Sequence, residues 1–174
     1  PEEITDIKEV DLVLGASEKF NLLDRLDSLE PNEEITVLHS SIKDIKEFEP
    51  SFSSNDRTRS YLKVQDGCDY NCTFCTIPLA RGESRSTTVS KTLMSAKQAI
   101  SSGAREIILT GVNIGDFGVN SREKFIDLLV ALNDLNDLDR IRISSIEPNL
   151  LSNDIIKFCA KSKKIMPHFH VPLQ

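Results

Sequence analysis

The chain has 174 residues, 39% of them apolar, with a formal charge of −6. That length gives room for one domain with a core, or for a small domain and part of another. No apolar run in this sequence approaches the ~18 residues that would suggest a membrane-spanning helix.

Asp11–Leu14 is an apolar run ended by Gly15 and reads as a buried strand. Ser17 is then placed to cap a helix carrying Leu22, Leu23, Leu26 and Leu29, with Pro31 as its stop. Residues 30–60 hold acids, serines and Pro50 without a sustained period, so a linker is expected, with a short strand near Ile35–Leu38. From Tyr61 the pattern changes. Tyr61–Gln65 alternates like a strand, and Val89, Leu93, Ala96 and Ile100 form a helical stripe closed by Gly103. Ile107–Thr110 reads as a buried strand, and Ser121 as the cap of a helix with Phe125, Leu128, Leu129 and Leu132 facing inward. Arg140–Ser145 is a third strand of this series. Ser152 opens a helix with Ile155, Ile156 and Cys159 on one face, and His168–Leu173 is a fourth strand. Strands alternating with helices at this spacing predict βαβ units and a parallel sheet. Four strands and three helices are too few to close a barrel and fit its first part. Three divisions follow: residues 1–30 as the tail of an α/β unit, 31–57 as a linker, and 58–174 as a truncated core domain.

Charge follows the same division. Residues 1–56 contain fifteen acids and five bases, a net of −10; residues 57–174 contain twelve acids and sixteen bases, a net of +4. The basic surplus hints at a polyanionic partner, and Arg57, Arg59, Arg81 and Arg85 flank the loop described next. Scattered surface charge explains these arginines equally well. Pro1 in place of Met, and acids at Glu2, Glu3 and Asp6, fit neither a secretory nor a transit peptide. The chain is expected to be part of a longer protein.

Three of the four cysteines, Cys68, Cys72 and Cys75, fall within eight residues. Disulfide scaffolds spread their cysteines, whereas tight clusters bind metal, and a reducing, cytoplasmic setting is expected. Thiolates are soft ligands for iron–sulfur clusters and zinc, and three of them leave one corner of a four-ligand centre open. Two plainer readings compete: buried structural cysteines, and a zinc site completed by His39, His168 or His170, although none of these shows zinc-finger spacing. Cys159, beside Ile155 and Ile156, reads as core.

The spacing in Cys68-Asp-Tyr-Asn-Cys72-Thr-Phe-Cys75 resembles the motif of the radical S-adenosylmethionine superfamily. The resemblance implies a (β/α) partial barrel in which these cysteines hold a 4Fe–4S cluster and S-adenosylmethionine chelates the open iron. It places Phe74 beside the adenine, and Gly111 and Asn113 near the methionine part of the cosubstrate. From the residues alone, Gly111 is as well explained by a turn needing positive φ. Glu147 is a candidate for cosubstrate or substrate, with a solvated loop carboxylate as its rival; His170 and Gln174 carry less weight.

The stretch Gly67–Gly82 with Ser84-Arg-Ser86, the loop Leu109–Gly115 and the run Val10–Gly15 are similar to the methylthiotransferase family. Ser144–Pro148 and Pro167–Gln174 look most like its members acting on threonylcarbamoyladenosine of tRNA. Isopentenyladenosine tRNA and a ribosomal-protein aspartate are the other substrates of that family. A metal-stabilised RNA-binding module without catalysis is the rival from another class. What the resemblance implies is a methylthio group added to carbon 2 of the adenine next to the anticodon. A 5′-deoxyadenosyl radical would start the reaction, and flavodoxin or ferredoxin would supply the electron. It also implies an auxiliary 4Fe–4S cluster, whose three cysteines are not in this chain.

Overall fold

β1 (Leu12–Leu14), preceded by the single-turn helix α1 (Glu2–Thr5), pairs in parallel with β2 (Thr36–Leu38), with Val13 opposite Val37. The computed structural model describes residues 2–29, 35–54 and 58–173; the expected stop at Pro31, Arg57 and Gln174 lie outside them. Between these strands a 3-10 turn, Lys19–Asn21, runs into α2 (Leu22–Asp27). Ser17 does not cap it. Its hydroxyl instead accepts from Ser40 Oγ at 2.7 Å, and Glu18, at the head of the turn, takes the Arg25 guanidinium at 2.8 Å. Leu22, Leu23 and Leu26 lie on this helix as read, yet are 44%, 75% and 49% exposed, while Leu29 falls beyond its end at Asp27.

Within the segment expected as a linker, the short strand expected near Ile35–Leu38 is β2 of this small sheet, and β3 (Ser51–Phe52), which was not expected, joins a second one. Between them a 3-10 turn at Ile42–Asp44 begins on Ser41, whose hydroxyl accepts from Lys43 N–H at 3.3 Å.

The second sheet has the order β3-β4-β7-β8. β3 is antiparallel to β4 (Arg59–Lys63), while β7 (Glu106–Thr110) and β8 (Arg140–Ile143) follow in parallel. From β4 onward each parallel strand lies beside its predecessor without reversal, which is the order of a barrel wall rather than of a doubly wound sheet. The chain is thus an α/β structure with mostly parallel pairing and the order of a partial barrel. A short hairpin of β5 (Gln65–Asp66) and β6 (Arg85–Ser86) brackets the cysteine loop and its helix α3 (Ile77–Arg81).

Helices α4 (Val89–Ser101), α5 (Phe125–Asn133) and α6 (Asn153–Lys161) contribute to one apolar core with the sheet. In register across it stand Leu62, Leu109 and Ile143, with Ile107 beside Ile141, all fully buried. Each such side chain contributes about 1.5–3 kcal/mol of burial. Successive strand residues face opposite sides, so the other face carries Tyr61, Ile108 and Arg142 in register. α4 starts on Thr88, whose hydroxyl accepts from Lys91 N–H at 3.2 Å, and ends at Gly103 with φ +102°. α6 starts on Ser152 as expected. α5 does not start on Ser121. It starts three residues later at Lys124, whose N–H is held by the Asp127 carboxylate at 2.7 Å, while Ser121 Oγ accepts from Glu123 N–H.

Two further expectations are corrected. Ile156 is 44% exposed, turned away from buried Ile155 and half-buried Cys159, because the inward arc of α6 is narrower than the apolar run. His168–Leu173 forms no strand; the parallel bridge Ser145–His170, with Ile146 N–H on His170 O at 3.1 Å, holds this segment just beyond β8, and Ile165 before it bridges Ile141 of β8. Pro167 and Pro172 lack the N–H groups that a continuous ladder requires.

Candidate functional site

Loops leaving the carboxyl ends of three parallel strands meet at one end of the sheet, where barrel folds carry function. The first, residues 67–84, holds the thiols. Gly67 and Gly82 cross at its neck with φ +73° and +74°, and Cys68 N–H donates to Gly82 O at 3.0 Å. A Cβ on Gly67 would lie 2.0 Å from Glu83 O, so the crossing requires glycine. Asp69 Oδ1 accepts from Ser84 N–H at 2.8 Å and ties the loop a second time. A turn with Cys75 N–H on Cys72 O (3.1 Å) links the second and third cysteines.

Gln65 fastens this loop to the next one. Fully buried, its Nε2 donates to Asp66 O (3.0 Å), Gly67 O (2.7 Å) and Ser84 Oγ (2.9 Å). Its Oε1 accepts from Val112 N–H at 3.0 Å and Asn113 N–H at 2.9 Å, in the loop after β7. This explains Gly111. Its backbone is not in the positive-φ region; a Cβ there would stand 2.9 Å from both Gln65 O and Gln65 Oε1. Asn113 is 2% exposed, donates from Nδ2 to Asp116 Oδ2 (3.2 Å) and accepts at Oδ1 from Glu147 N–H (3.3 Å), in the loop after β8. Asn149 Nδ2 donates to Tyr70 Oη at 2.8 Å and closes the circuit back to the cysteine loop. Gly111, Asn113 and Glu147 are therefore brought into one network with the cysteine loop.

Phe74 stands 77% exposed on that loop, as does Leu79 at 78%. A cavity of about 650 Å³ lies beside it, lined by Cys68, Asp69, Asn71, Leu79 and the Ile42–Lys43 turn. His170 is elsewhere engaged, with Nδ1 2.8 Å from Ser145 Oγ.

All three loop thiols are free and half-buried. Burial pushes the Cys68 thiol up, partly offset by the Tyr70 N–H, and Asp116, Cys72 and Cys75 add to the rise. Burial also raises the Asp116 carboxyl, reinforced by Asp69 and, more weakly, Glu147, against hydrogen bonds from Ser84 and Asn113. Thiols and carboxylates thus crowd one another at this rim, with Lys43 on the cavity side. Soft thiolates in such a setting are a donor set suited to an iron–sulfur centre. Among the described residues no group of three His, Cys, Asp or Glu side chains is gathered at metal-holding distance.

Of the flanking arginines, Arg59 lies 3.5 Å from Glu106 and Arg81 3.5 Å from Asp66. Arg85 is only 7% exposed, its Nη2 2.9 Å from Asp66 Oδ2, so it is no surface charge. Asp66 is held below the usual carboxylate range. Burial alone would raise it, but Lys63, Arg85 and the Gly67 N–H together prevail. The sequence places Gln65 at the end of a strand but does not reveal the linking role of Gln65 or the ion pairs of Asp66. The available signal is two polar residues continuing a buried strand, one glycine short of the first cysteine.

The chain is 36% identical over its whole length to the threonylcarbamoyladenosine tRNA methylthiotransferase MtaB of Bacillus subtilis (strain 168), covering 40% of that protein. Identity to the protein of the same name from Aquifex aeolicus is 34%, over all of this chain and 43% of the relative. A tRNA-2-methylthio-N(6)-dimethylallyladenosine synthase of Rickettsia rickettsii is 32% identical over 95% of the chain and 38% of the relative. The chain thus spans about two fifths of the length of these relatives. Residues 62–174, which include every cysteine and the three meeting loops, match the family described as the radical SAM superfamily, and to that superfamily the chain belongs.

Proposed function

We propose that this chain is the part of a tRNA methylthiotransferase that holds S-adenosylmethionine and its 4Fe–4S cluster. The modified group is carbon 2 of threonylcarbamoyladenosine next to the anticodon. What supports the substrate is similarity over the whole of this chain, about two fifths of each relative, to proteins bearing that name, at 34–36% identity. The 32% identity to a dimethylallyladenosine synthase favours isopentenyl-type adenosine as the second reading.

In this reading Cys68, Cys72 and Cys75 are the cluster ligands, and the pinned neck at Gly67 and Gly82 limits how far the loop moves on loading. When bound, the cluster and S-adenosylmethionine supply one-electron radical chemistry. Phe74 offers an aromatic face to the adenine. The 111–113 backbone, fixed by Gln65, and the Glu147 carboxylate offer polar contacts to the methionine amino and carboxylate groups. The auxiliary cluster is not proposed for these residues: Cys159, the one remaining cysteine, packs against the core in α6. An electron from a flavodoxin or ferredoxin completes the reading. Among the described residues no helix is long and apolar enough to cross a membrane.

Anaerobic reconstitution with iron and sulfide tests the ligand set. The parent should take up iron with visible cluster absorbance and, with reductant, cleave S-adenosylmethionine. Cys72→Ala should lose both, because two remaining thiolates hold a cluster poorly. Full iron and absorbance in Cys72→Ala would overturn the assignment.

A further inference from the structure

Asp66 and Arg85 stand opposite each other in the β5–β6 hairpin, at the two ends of the cysteine loop, and both are buried. Arg85 Nη2 donates to Asp66 Oδ2 at 2.9 Å. Asp66 lies two residues before Cys68, so this half of the guanidinium holds the entry of the loop. The other half holds its exit. Arg85 Nη1 donates to Arg81 O at 2.7 Å and to Glu83 O at 3.1 Å. Arg81 ends α3, where the last carbonyls have no helical N–H to accept from, and α3 begins two residues after Cys75. One planar, pre-organised fork thus joins the strand leading into the first thiol to the helix that follows the third.

For stability alone this is a weak arrangement. Arg85 Nε is shut away from solvent and has no partner among the described residues. A buried donor without an acceptor is destabilising, and a buried ion pair is often no better than apolar packing of the same volume. The hairpin also closes without the guanidinium, because β5 and β6 pair through their backbones and Cys68 N–H donates to Gly82 O. What the side chain adds is a fixed relation between Asp66 and the carboxyl end of α3. Half-buried Lys63 reaches the same Asp66 Oδ2 at 2.9 Å but nothing at the exit, so it supplies charge and no link. Groups standing behind metal ligands govern affinity in this way, because a loop that must order itself on loading binds more weakly.

We propose that Arg85 is a positioning residue whose fork sets Cys68 and Cys75 relative to each other in the metal-free chain, so that the three thiolates close on a metal centre with little further ordering. This role rests on the reading of Cys68, Cys72 and Cys75 as the ligands.

The experiment uses the reduced, metal-free 174-residue chain under anaerobic conditions, as the parent, Arg85→Met, Arg85→Lys and Lys63→Met. Circular dichroism melts confirm that each is folded. Amide exchange is followed first without metal. In both Arg85 variants the Cys68 and Gly82 amides should exchange about tenfold faster or more, and the core amide of Leu109 much less so. Cobalt(II) is then titrated and read by its thiolate charge-transfer absorbance. Affinity should fall about tenfold or more in Arg85→Met and in Arg85→Lys, which keeps the charge but not the fork, and far less in Lys63→Met. Parent exchange or parent cobalt affinity in a folded Arg85→Lys chain overturns the proposal. So does exchange that quickens equally at Leu109, which is general destabilisation, or a loss in Lys63→Met as large as in Arg85→Met, which is charge alone. Where the Arg85 variants do not fold, Asp66→Asn releases the entry of the loop, and parent affinity in that chain overturns the proposal as well. A parent without thiolate–cobalt absorbance overturns the ligand reading beneath it, an outcome distinct from a parent that binds cobalt and Arg85 variants that bind it equally.

Discussion

Replacing Gln65 by Leu tests whether one amide joins the cysteine loop to the loop after β7. Leu has a similar reach and leaves little cavity, so the cost comes from hydrogen bonds. Five contacts between 2.7 and 3.0 Å are lost. The donor side is shared among three acceptors, and Ser84 Oγ can turn elsewhere. Asn113 N–H has no such freedom, since the residue is 2% exposed. One buried orphan costs ~1–3 kcal/mol and each ordinary hydrogen bond about 1 kcal/mol net. Partial offset by the more apolar side chain leaves roughly 3 kcal/mol. With a urea slope of about 1–3 kcal/mol/M, the midpoint should fall by roughly 1–3 M. Amide exchange at Val112 and Asn113 should quicken more than at the β7 amides of Ile107 and Leu109. Gln65→Glu should cost a comparable amount, because it keeps the acceptor for those N–H groups but sets a carboxylate oxygen against two carbonyls. A midpoint unchanged within the equivalent of ~0.5 kcal/mol in Gln65→Leu, with Val112 and Asn113 still protected, would refute the linking role.

Three further outcomes are expected. Gly111→Ala drives a Cβ to 2.9 Å from Gln65 O and Oε1 and should cost about 1–3 kcal/mol by thermal melt, more than Gly103→Ala, where no atom lies within 4 Å and only φ strain remains. Asp66 has a lowered folded pKa, so its stabilisation is present above its ordinary value of 3.8 and is lost as pH falls through the folded pKa. Urea melts of the parent and Asp66→Asn should therefore differ by about 2 kcal/mol near neutrality and converge below that value; a gap that widens in acid contradicts the ion-pair account. Cys159→Ala should cost roughly 1 kcal/mol of packing and leave iron uptake on reconstitution at the parent level; lost iron would make Cys159 a ligand.

Sequence alone determined the parts of this protein that depend on local order. The spacing of Cys68, Cys72 and Cys75 is a property of one short loop, and the βα alternation from Tyr61 follows from periods of 2 and 3.6, which no partner can alter. The inward faces of α4 and α5 were legible for the same reason, as were the caps at Gly103 and Ser152. Only the tertiary structure decided which strands pair. The strand near Ile35–Leu38 was legible but its pairing with β1 was not, and the two-residue β3 left no mark at all, because pairing is a long-range backbone property that side chains do not record. It also decided that Ser17 and Ser121 serve loops rather than helix starts, a choice fixed by which N–H groups are left without partners nearby. The same holds for Gln65. Its residue type fits a solvated loop as readily as a buried hub, and what makes it a hub is the backbone of residues 112–113, 47 and 48 positions away, presenting two N–H groups to one buried oxygen.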